Sequence, residues 1–241
     1  MKYSGNNISG GKNWPLQLLD LHNMTLWNFS VGGAVVNHMI VPRNGYKSSF
    51  ITEYNKFSLL MSKGRKFGDQ WKSNNTLFAY WLGCNDIRNV FREPHITPLL
   101  FNQIHETMFN IFNSLYMNGA RNFLIINIPP LDKAPLNESG KYNYYKDDVE
   151  SFNNEYIKYS KNFFKKHPSV NIIIYNAKEE YEYVMNNYKS FNLISGNSRW
   201  SAYKNLDLKY FFWHDHSHLS YTGNKILAED MHSLLISLNK N

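Results

Sequence analysis

Short apolar runs recur along the chain at intervals that suit the strands of one sheet. Three of these runs cover residues 77–82, 122–128 and 171–175. Each has the length of a strand, and continuous apolar runs of this length are typical of strands buried on both faces of a parallel sheet. A fourth segment, residues 26–31, mixes apolar and polar residues ahead of a Gly-Gly pair, which predicts a strand ending in a tight turn.

Between these runs, apolar residues recur at the three- and four-residue spacing of amphipathic helices. Helices are predicted over residues 14–21, 46–61, 97–119, 147–167 and 222–238. The third has the clearest ends, because Thr97 can serve as N-cap, Pro98 suits the first turn, and Gly119 favours termination. The alternation of helices and apolar strands predicts an α/β fold with a mostly parallel sheet.

Composition places the chain among compact globular proteins. Its 241 residues suffice for a single α/β domain over residues 1–241, and 43% of them are hydrophobic. The net charge of +7 comes from scattered Lys and Arg residues, so we expect no nucleic-acid partner. The single cysteine, Cys84, excludes an intrachain disulfide and a multi-cysteine zinc site. No apolar run is long enough to span a membrane, and we expect no cofactor.

Hydrogen-bond donors are predicted at the carboxyl ends of the strands, where an open parallel sheet forms its ligand crevice. The backbone amide of Gly33 and the side-chain amide of Asn85 can both donate to negative charge that develops on a substrate oxygen. Both residues also have structural interpretations, since a Gly pair forms ordinary turns and Asn85-Asp86 could cap the following segment. For Asp86 we prefer that structural role.

The densest group of titratable side chains lies just before the last predicted helix, in residues 212–223. Asp215 precedes His218 by three residues, so its carboxylate can hold one imidazole nitrogen while the other nitrogen faces a cleft. That arrangement would make His218 an oriented general base. His214 and His216 are interpreted as exposed loop residues. A metal site built from these side chains ranks last, because neighbouring residues on an extended loop point in alternating directions.

Taken in order, these blocks resemble the SGNH or GDSL-type serine hydrolases, and within them the fungal acetylesterases of carbohydrate esterase family 16. The resemblance covers nearly the whole chain and depends mainly on residues 28–34, 81–86 and 215–218. It implies a flavodoxin-like three-layer sandwich with a mostly parallel sheet. It also implies an esterase that removes acetyl groups from O-acetylated sugars through an acyl-serine intermediate.

The same resemblance implies roles for the candidate residues. Gly33 and Asn85 would donate hydrogen bonds in an oxyanion hole. His218 would be the general base, and Asp215 would orient it. The resemblance further implies a secreted, monomeric protein whose partner is a small-molecule or oligosaccharide ester.

The chain departs from this family at its start. Family members carry Gly-Asp-Ser at the end of the first, central strand, whereas this sequence has neither that motif nor an apolar strand ahead of Asn13. Ser4 and Ser9 have no strand to hold them on a tight turn, so both are interpreted as loop serines. We therefore expect a domain truncated at its N-terminus, without the first central strand and nearly inactive by itself, since losing the nucleophile costs about a million-fold in kcat. A catalytically inactive carbohydrate-binding relative stays open as the alternative.

Overall fold

The computed structural model describes residues 7–238 of the chain. Within that range the chain forms three strands, which are β1 (Leu77–Tyr80), β2 (Asn122–Ile126) and β3 (Asn171–Tyr175). The helices are α1 (Trp14–Leu21), α2 (Phe50–Met61), α3 (Cys84–Asn89), α4 (Thr97–Met117), α5 (Tyr145–Lys166), α6 (Ala177–Asn186) and α7 (Tyr221–Leu238). None of these helices has the length and the apolar content that crossing a membrane requires.

The described residues group into two compact units. The first, called the sheet unit, comprises Asn28–Pro129 and Asp147–Asn176, and it contains the three strands, α2, α3, α4 and most of α5. The second, called the loop unit, comprises the described residues up to Trp27, Pro130–Lys146 and the described residues from Ala177 onward. It contains α1, α6 and α7. That residues 1–241 fold as one domain stays a prediction.

The sheet has the strand order β1-β2-β3, and all three strands run parallel. Its register pairs Leu77 with Asn122 and Asn122 with Asn171. All three apolar runs identified in the sequence therefore form strands, and the predicted α/β fold with a parallel sheet is confirmed.

An aromatic core covers one face of this sheet. Tyr80 of β1 and Phe123 of β2 both pack against Phe112 of α4, with ring centroids 4.5 and 5.5 Å apart. Phe50 of α2 contacts Tyr80, and Phe163 of α5 contacts Phe123. All five side chains are buried. Packing these rings against each other removes their apolar surface from water, and this burial stabilises the contact of α2, α4 and α5 with the sheet.

The prediction of a strand over residues 26–31 is wrong. These residues form no strand, and Leu26 and Val31 are 38% and 39% exposed. The turn predicted after them is confirmed, because the Ala34 amide donates to the Val31 carbonyl at 3.1 Å and Gly33 has a φ of +88°. A strand needs a neighbour that satisfies its backbone groups, and a local sequence pattern does not reveal whether that neighbour exists.

Three helices also differ from the prediction. Helix α2 begins at Phe50, four residues later than expected, because Ser49 and Thr52 form a reciprocal capping box there. Helices α3 and α6 were not predicted at all. Helix α3 has only six residues, too few for a periodic apolar pattern to show. Helix α6 is longer. The buried residues Ala177, Tyr181 and Val184 of α6 have helical spacing, so the signal for that helix was present in the sequence.

Candidate active site

The loop that carries Asp215 and His218 is a tight hairpin in the loop unit. Trp213 and Leu219 face each other in an antiparallel bridge, and the His214 amide donates to the His218 carbonyl at 2.8 Å. Trp213 anchors this hairpin, because its side chain is buried and its indole N–H donates to the Gly196 carbonyl at 3.0 Å. The loop from 213 to 219, called the base loop, is therefore fixed at both ends.

Asp215 and His218 meet as predicted. Nδ1 of His218 lies 2.9 Å from both carboxylate oxygens of Asp215. When Nδ1 carries the ring proton it donates to the carboxylate, and Nε2 is then an unprotonated acceptor. The His218 side chain is 48% exposed and that of Asp215 is 27% exposed. The pair therefore has the geometry of an imidazole base with an orienting acid.

Several hydrogen bonds keep the Asp215 carboxyl ionised. Burial acts to raise its pKa, but the His218 ring and the backbone amides of Ser217 and His218 all donate to the carboxylate. Together these donors lower the pKa of Asp215 well below its ordinary value. A carboxylate that stays charged through the neutral range can stabilise an imidazolium on His218 throughout that range.

Gly33 lies at the second position of the turn after Val31, in the sheet unit. Its positive φ is in the left-handed region, and a side chain there would collide with the ring of Tyr46. The Arg43 guanidinium donates to the Gly33 carbonyl. Within residues 7–238, the amide of Gly33 donates to no acceptor. This amide can therefore donate to a ligand, and its role in an oxyanion hole stays a prediction.

Asn85 lies in the first turn of α3, directly after β1. Gly83 makes the strand-to-helix turn with a φ of +107°, and a side chain at that position would collide with Phe152 and Ile128. The Asn85 side-chain amide donates to the Ala34 carbonyl at 3.1 Å. Because an amide nitrogen carries two protons, a second donor remains on Asn85. The structure thus ties Asn85 to the residue that follows Gly33.

Asp86 has a structural role, although it holds a different segment from the one expected. Its side chain is fully buried, and one carboxylate oxygen accepts from the Val36 amide at 2.9 Å. The carboxyl therefore ties the segment after the Gly33 turn to α3. Burial raises its pKa to about 7, which outweighs the lowering effects of the backbone hydrogen bonds and of the Arg43 charge.

Replacing Asp86 with Asn should flatten the pH dependence of stability between about pH 4 and pH 7. The folded protein holds a proton on Asp86 up to about pH 7, whereas the unfolded chain releases it near its ordinary value of 3.8. Stability from this group is therefore present at low pH and is lost as pH rises through this window, by an amount on the order of 4 kcal/mol. Asn keeps the acceptor for Val36 but has no proton to lose.

Urea unfolding of both proteins at pH 4, 5.5 and 7 tests this prediction. Asp69→Asn, on an exposed residue of the same unit, serves as the control and should keep the parent's profile. Parallel profiles for the parent and the Asp86→Asn variant would contradict the assignment of a raised pKa to Asp86.

The remaining histidines of the base loop differ in their surroundings. The His214 ring packs against Trp200 with centroids 5.3 Å apart, and its Nδ1 lies 3.9 Å from an Asp215 oxygen. His214 is thus partly buried, and the prediction that it is exposed is wrong, because its ring packs against Trp200, a contact that no local pattern indicates. His216 is exposed as predicted. No group of three or more His, Cys, Asp or Glu side chains within residues 7–238 is arranged to hold a metal ion.

The two serines near the start have no described link to the base. Ser9 is buried in a loop, where its hydroxyl contacts the Asn7 side chain and the Gly11 carbonyl. Ser4 lies outside the described residues. Among residues 7–238, the His218 ring hydrogen bonds to Asp215 and to no serine. In the loop unit the structure therefore pairs the Asp215 carboxylate with the His218 ring. In the sheet unit it bonds the Asn85 side chain to Ala34, the residue after Gly33.

Comparison with known proteins gives a consistent set of relatives. A family model described as GDSL-like lipase/acylhydrolase matches residues 4–231. An acetylesterase of Thermothelomyces thermophilus is 36% identical over 137 residues, which make up 54% of this chain and 44% of that protein. An acetylesterase of Hypocrea jecorina is 25% identical over 55% of this chain and 41% of its own length. A thermolabile hemolysin of Vibrio parahaemolyticus is 26% identical over 54% of this chain and 27% of its own length. The chain thus aligns with less than half of each relative.

Proposed function

Because this chain belongs to the GDSL-like lipase/acylhydrolase family, we propose that it is an esterase that removes acetyl groups from carbohydrates. Family membership and the parallel α/β sheet agree with the SGNH-type fold expected from the sequence. The observation that carries the proposal is the His218 ring held by both oxygens of Asp215. Two relatives described as acetylesterases support the choice of acyl group.

In the proposed reaction, Nε2 of His218 takes the proton of an attacking serine hydroxyl as its oxygen bonds to the ester carbonyl carbon. The carbonyl oxygen becomes an oxyanion, to which the Gly33 amide and the Asn85 side chain donate. The bond to the sugar oxygen then breaks, and that oxygen takes the proton from His218. Water repeats the sequence on the acyl-serine and releases acetate. Asp215 stabilises the charged imidazole in both halves of the reaction.

We propose that the attacking serine lies outside residues 7–238. Two observations support this placement. The His218 ring has no serine partner among the described residues, and the Ser9 hydroxyl is committed to Asn7 and Gly11. The proposed chemistry therefore needs a hydroxyl from a segment that is not among them.

The lack of a serine partner for His218 within residues 7–238 also favours a second candidate function. In that candidate the protein binds acetylated carbohydrate without hydrolysing it. Measuring acetate release from an acetylated neutral oligosaccharide by a form that carries a Gly-Asp-Ser strand ahead of Met1, together with binding of the same compound, separates the two candidates. Release of acetate supports the esterase, whereas binding without release supports the inactive relative. If the protein neither binds this compound nor releases acetate from it, both candidate functions are excluded.

Replacing Asn85 with Ala should lower kcat for an acetyl ester about a hundred- to a thousand-fold in a form that turns the ester over. KM should change little, because the donor is needed most when charge develops on the oxygen. The matched control is Asn89→Ala, one turn further along α3, whose side chain is exposed and donates to the Asn85 carbonyl. Equal kcat values for the two variants would remove Asn85 from the oxyanion hole. A thermal melt of each checks that loss of the Ala34 contact has not unfolded the turn.

Resemblance to the fungal esterases also leads us to propose a secreted, monomeric protein acting on a small-molecule or oligosaccharide ester. Detection of the protein in culture medium tests secretion, and light scattering after gel filtration tests the monomer. Protein retained in cells, or a dimer mass, would contradict the respective proposal.

A further inference from the structure

A polar cavity lies entirely within the loop unit. Its volume is about 790 Å³, and segments 132–138, 182–188 and 195–203 form its walls. This volume falls in the range of small-ligand clefts, which is roughly 300–1,000 Å³. The proposed catalytic residues are not among those that line it. The proposed reaction therefore assigns no role to this cavity.

The charged residues of the cavity largely neutralise each other. Arg199 pairs with Glu138 at 3.2 Å, and Lys133 pairs with Glu182 at 3.0 Å. Asp132 is a third carboxylate in the lining, and none of the described ion pairs includes it. No cation in the lining is left over for an anionic ligand. A carboxylate with open lone pairs is instead suited to accepting hydrogen bonds from hydroxyl groups.

Other polar groups in the lining are free to bind a ligand. The side chains of Asn186, Asn197 and Ser198 make no hydrogen bond to another residue of the described chain. Tyr188 and Tyr203 add aromatic surface to the same lining. Amides and hydroxyls that both donate and accept, beside aromatic faces, match a ligand with many hydroxyl groups on an apolar ring.

The cavity walls are hydrogen bonded to the base loop. The Leu136 amide donates to the His216 carbonyl at 2.7 Å, and the Trp200 amide donates to the Trp213 carbonyl at 2.9 Å. The Ser201 amide donates to the His214 carbonyl, also at 2.9 Å. Two separate walls are therefore fixed to the loop that holds Asp215 and His218. A ligand in the cavity would contact segments that position the base.

We propose that this cavity binds a neutral saccharide, through the Asn186, Asn197 and Asp132 side chains and the ring of Tyr188. It would hold the sugar portion of the ester, and this part of the inference rests on the proposed esterase function. The paired charges favour an uncharged sugar over an acidic one. An added carboxylate would meet Asp132, while both cations of the lining, Lys133 and Arg199, are already paired.

Isothermal titration of residues 1–241 with xylotriose tests the cavity without any need for catalysis. We expect saturable binding, with at least a tenfold weaker affinity in the Asn186→Ala/Asn197→Ala double variant and in Tyr188→Ala. Asn154→Ala, an exposed asparagine on α5 outside the cavity, is the control and should bind as the parent does. Glucuronic acid should bind more weakly than xylose in the same assay.

Three other results would contradict the proposal that the cavity binds a neutral saccharide. Absence of binding, equal binding by the cavity variants and the Asn154→Ala control, or preference for glucuronic acid would each exclude a neutral-saccharide site here. These results are distinguishable from failure of the esterase proposal. In a form that carries a Gly-Asp-Ser strand ahead of Met1, hydrolysis of acetylated xylotriose with unchanged kinetics in the cavity variants would retain the esterase and reject the cavity. Cavity-dependent binding by that form without hydrolysis would retain the cavity and reject the esterase.

Discussion

Residues 1–241 should hydrolyse an acetyl ester about a million-fold more slowly than a form extended ahead of Met1 by a strand that ends in Gly-Asp-Ser. The physical reason is that, in the proposed reaction, His218 with Asp215 would supply the base, and Gly33 and Asn85 would supply the donors. A base without a hydroxyl to deprotonate forms no acyl intermediate. The His218 ring has no serine partner within residues 7–238. The measurement is kcat on 4-nitrophenyl acetate for both forms.

The extended form for this comparison is made by joining a strand that ends in Gly-Asp-Ser ahead of Met1. The control is the extended form with that serine replaced by Ala, which should return to the rate of residues 1–241. A rate for residues 1–241 within tenfold of the extended form would contradict the proposal. Such a result would require a serine already present in this chain to act as nucleophile.

Replacing His218 with Ala in the extended, active form should lower kcat by up to about a million-fold, because base and nucleophile act as one unit and removing either abolishes the shared step. His216→Ala is the matched control, since His216 is an exposed histidine two residues away on the same base loop. Its kcat should stay within about twofold of the parent, as expected for a surface residue outside the chemistry.

Added imidazole offers a second readout for the same variant. A small diffusible base can take the proton that His218 no longer accepts, so it should restore part of the lost rate in His218→Ala and none in the variant without the serine. Unchanged turnover in His218→Ala, or equal losses in His218→Ala and His216→Ala, would remove His218 as the base.

Much of the fold was predictable because its signals are local. The length and composition of the apolar runs are enough to predict β1, β2 and β3 as strands. Helix α4 is predicted by the proline at its start and the glycine after its end. The strand predicted over residues 26–31 failed for the opposite reason. Its pattern was adequate, but pairing depends on a neighbour that the segment does not have within the described chain.

The candidate site likewise has contacts that the sequence predicts and contacts that it does not. Asp215 and His218 are three residues apart, so a tight loop can bring their side chains together with little help from the rest of the chain. The contacts of Asp86 with Val36 and of Asn85 with Ala34 join residues about fifty positions apart. Nothing in either segment alone specifies those contacts, because they form only when the fold has buried both partners.

The amino-acid sequence by itself determined the alternation of helices and parallel strands, the turn at Gly33, and the pairing of an acid with an imidazole. Each of these follows from steric and hydrogen-bonding preferences that act over a few residues. Only the tertiary structure decided that Asp86 is buried with a raised pKa, that His214 packs on Trp200, and that three separate segments line a polar cavity. Burial and enclosure are properties of groups brought together by the whole chain, so no short stretch of sequence encodes them alone.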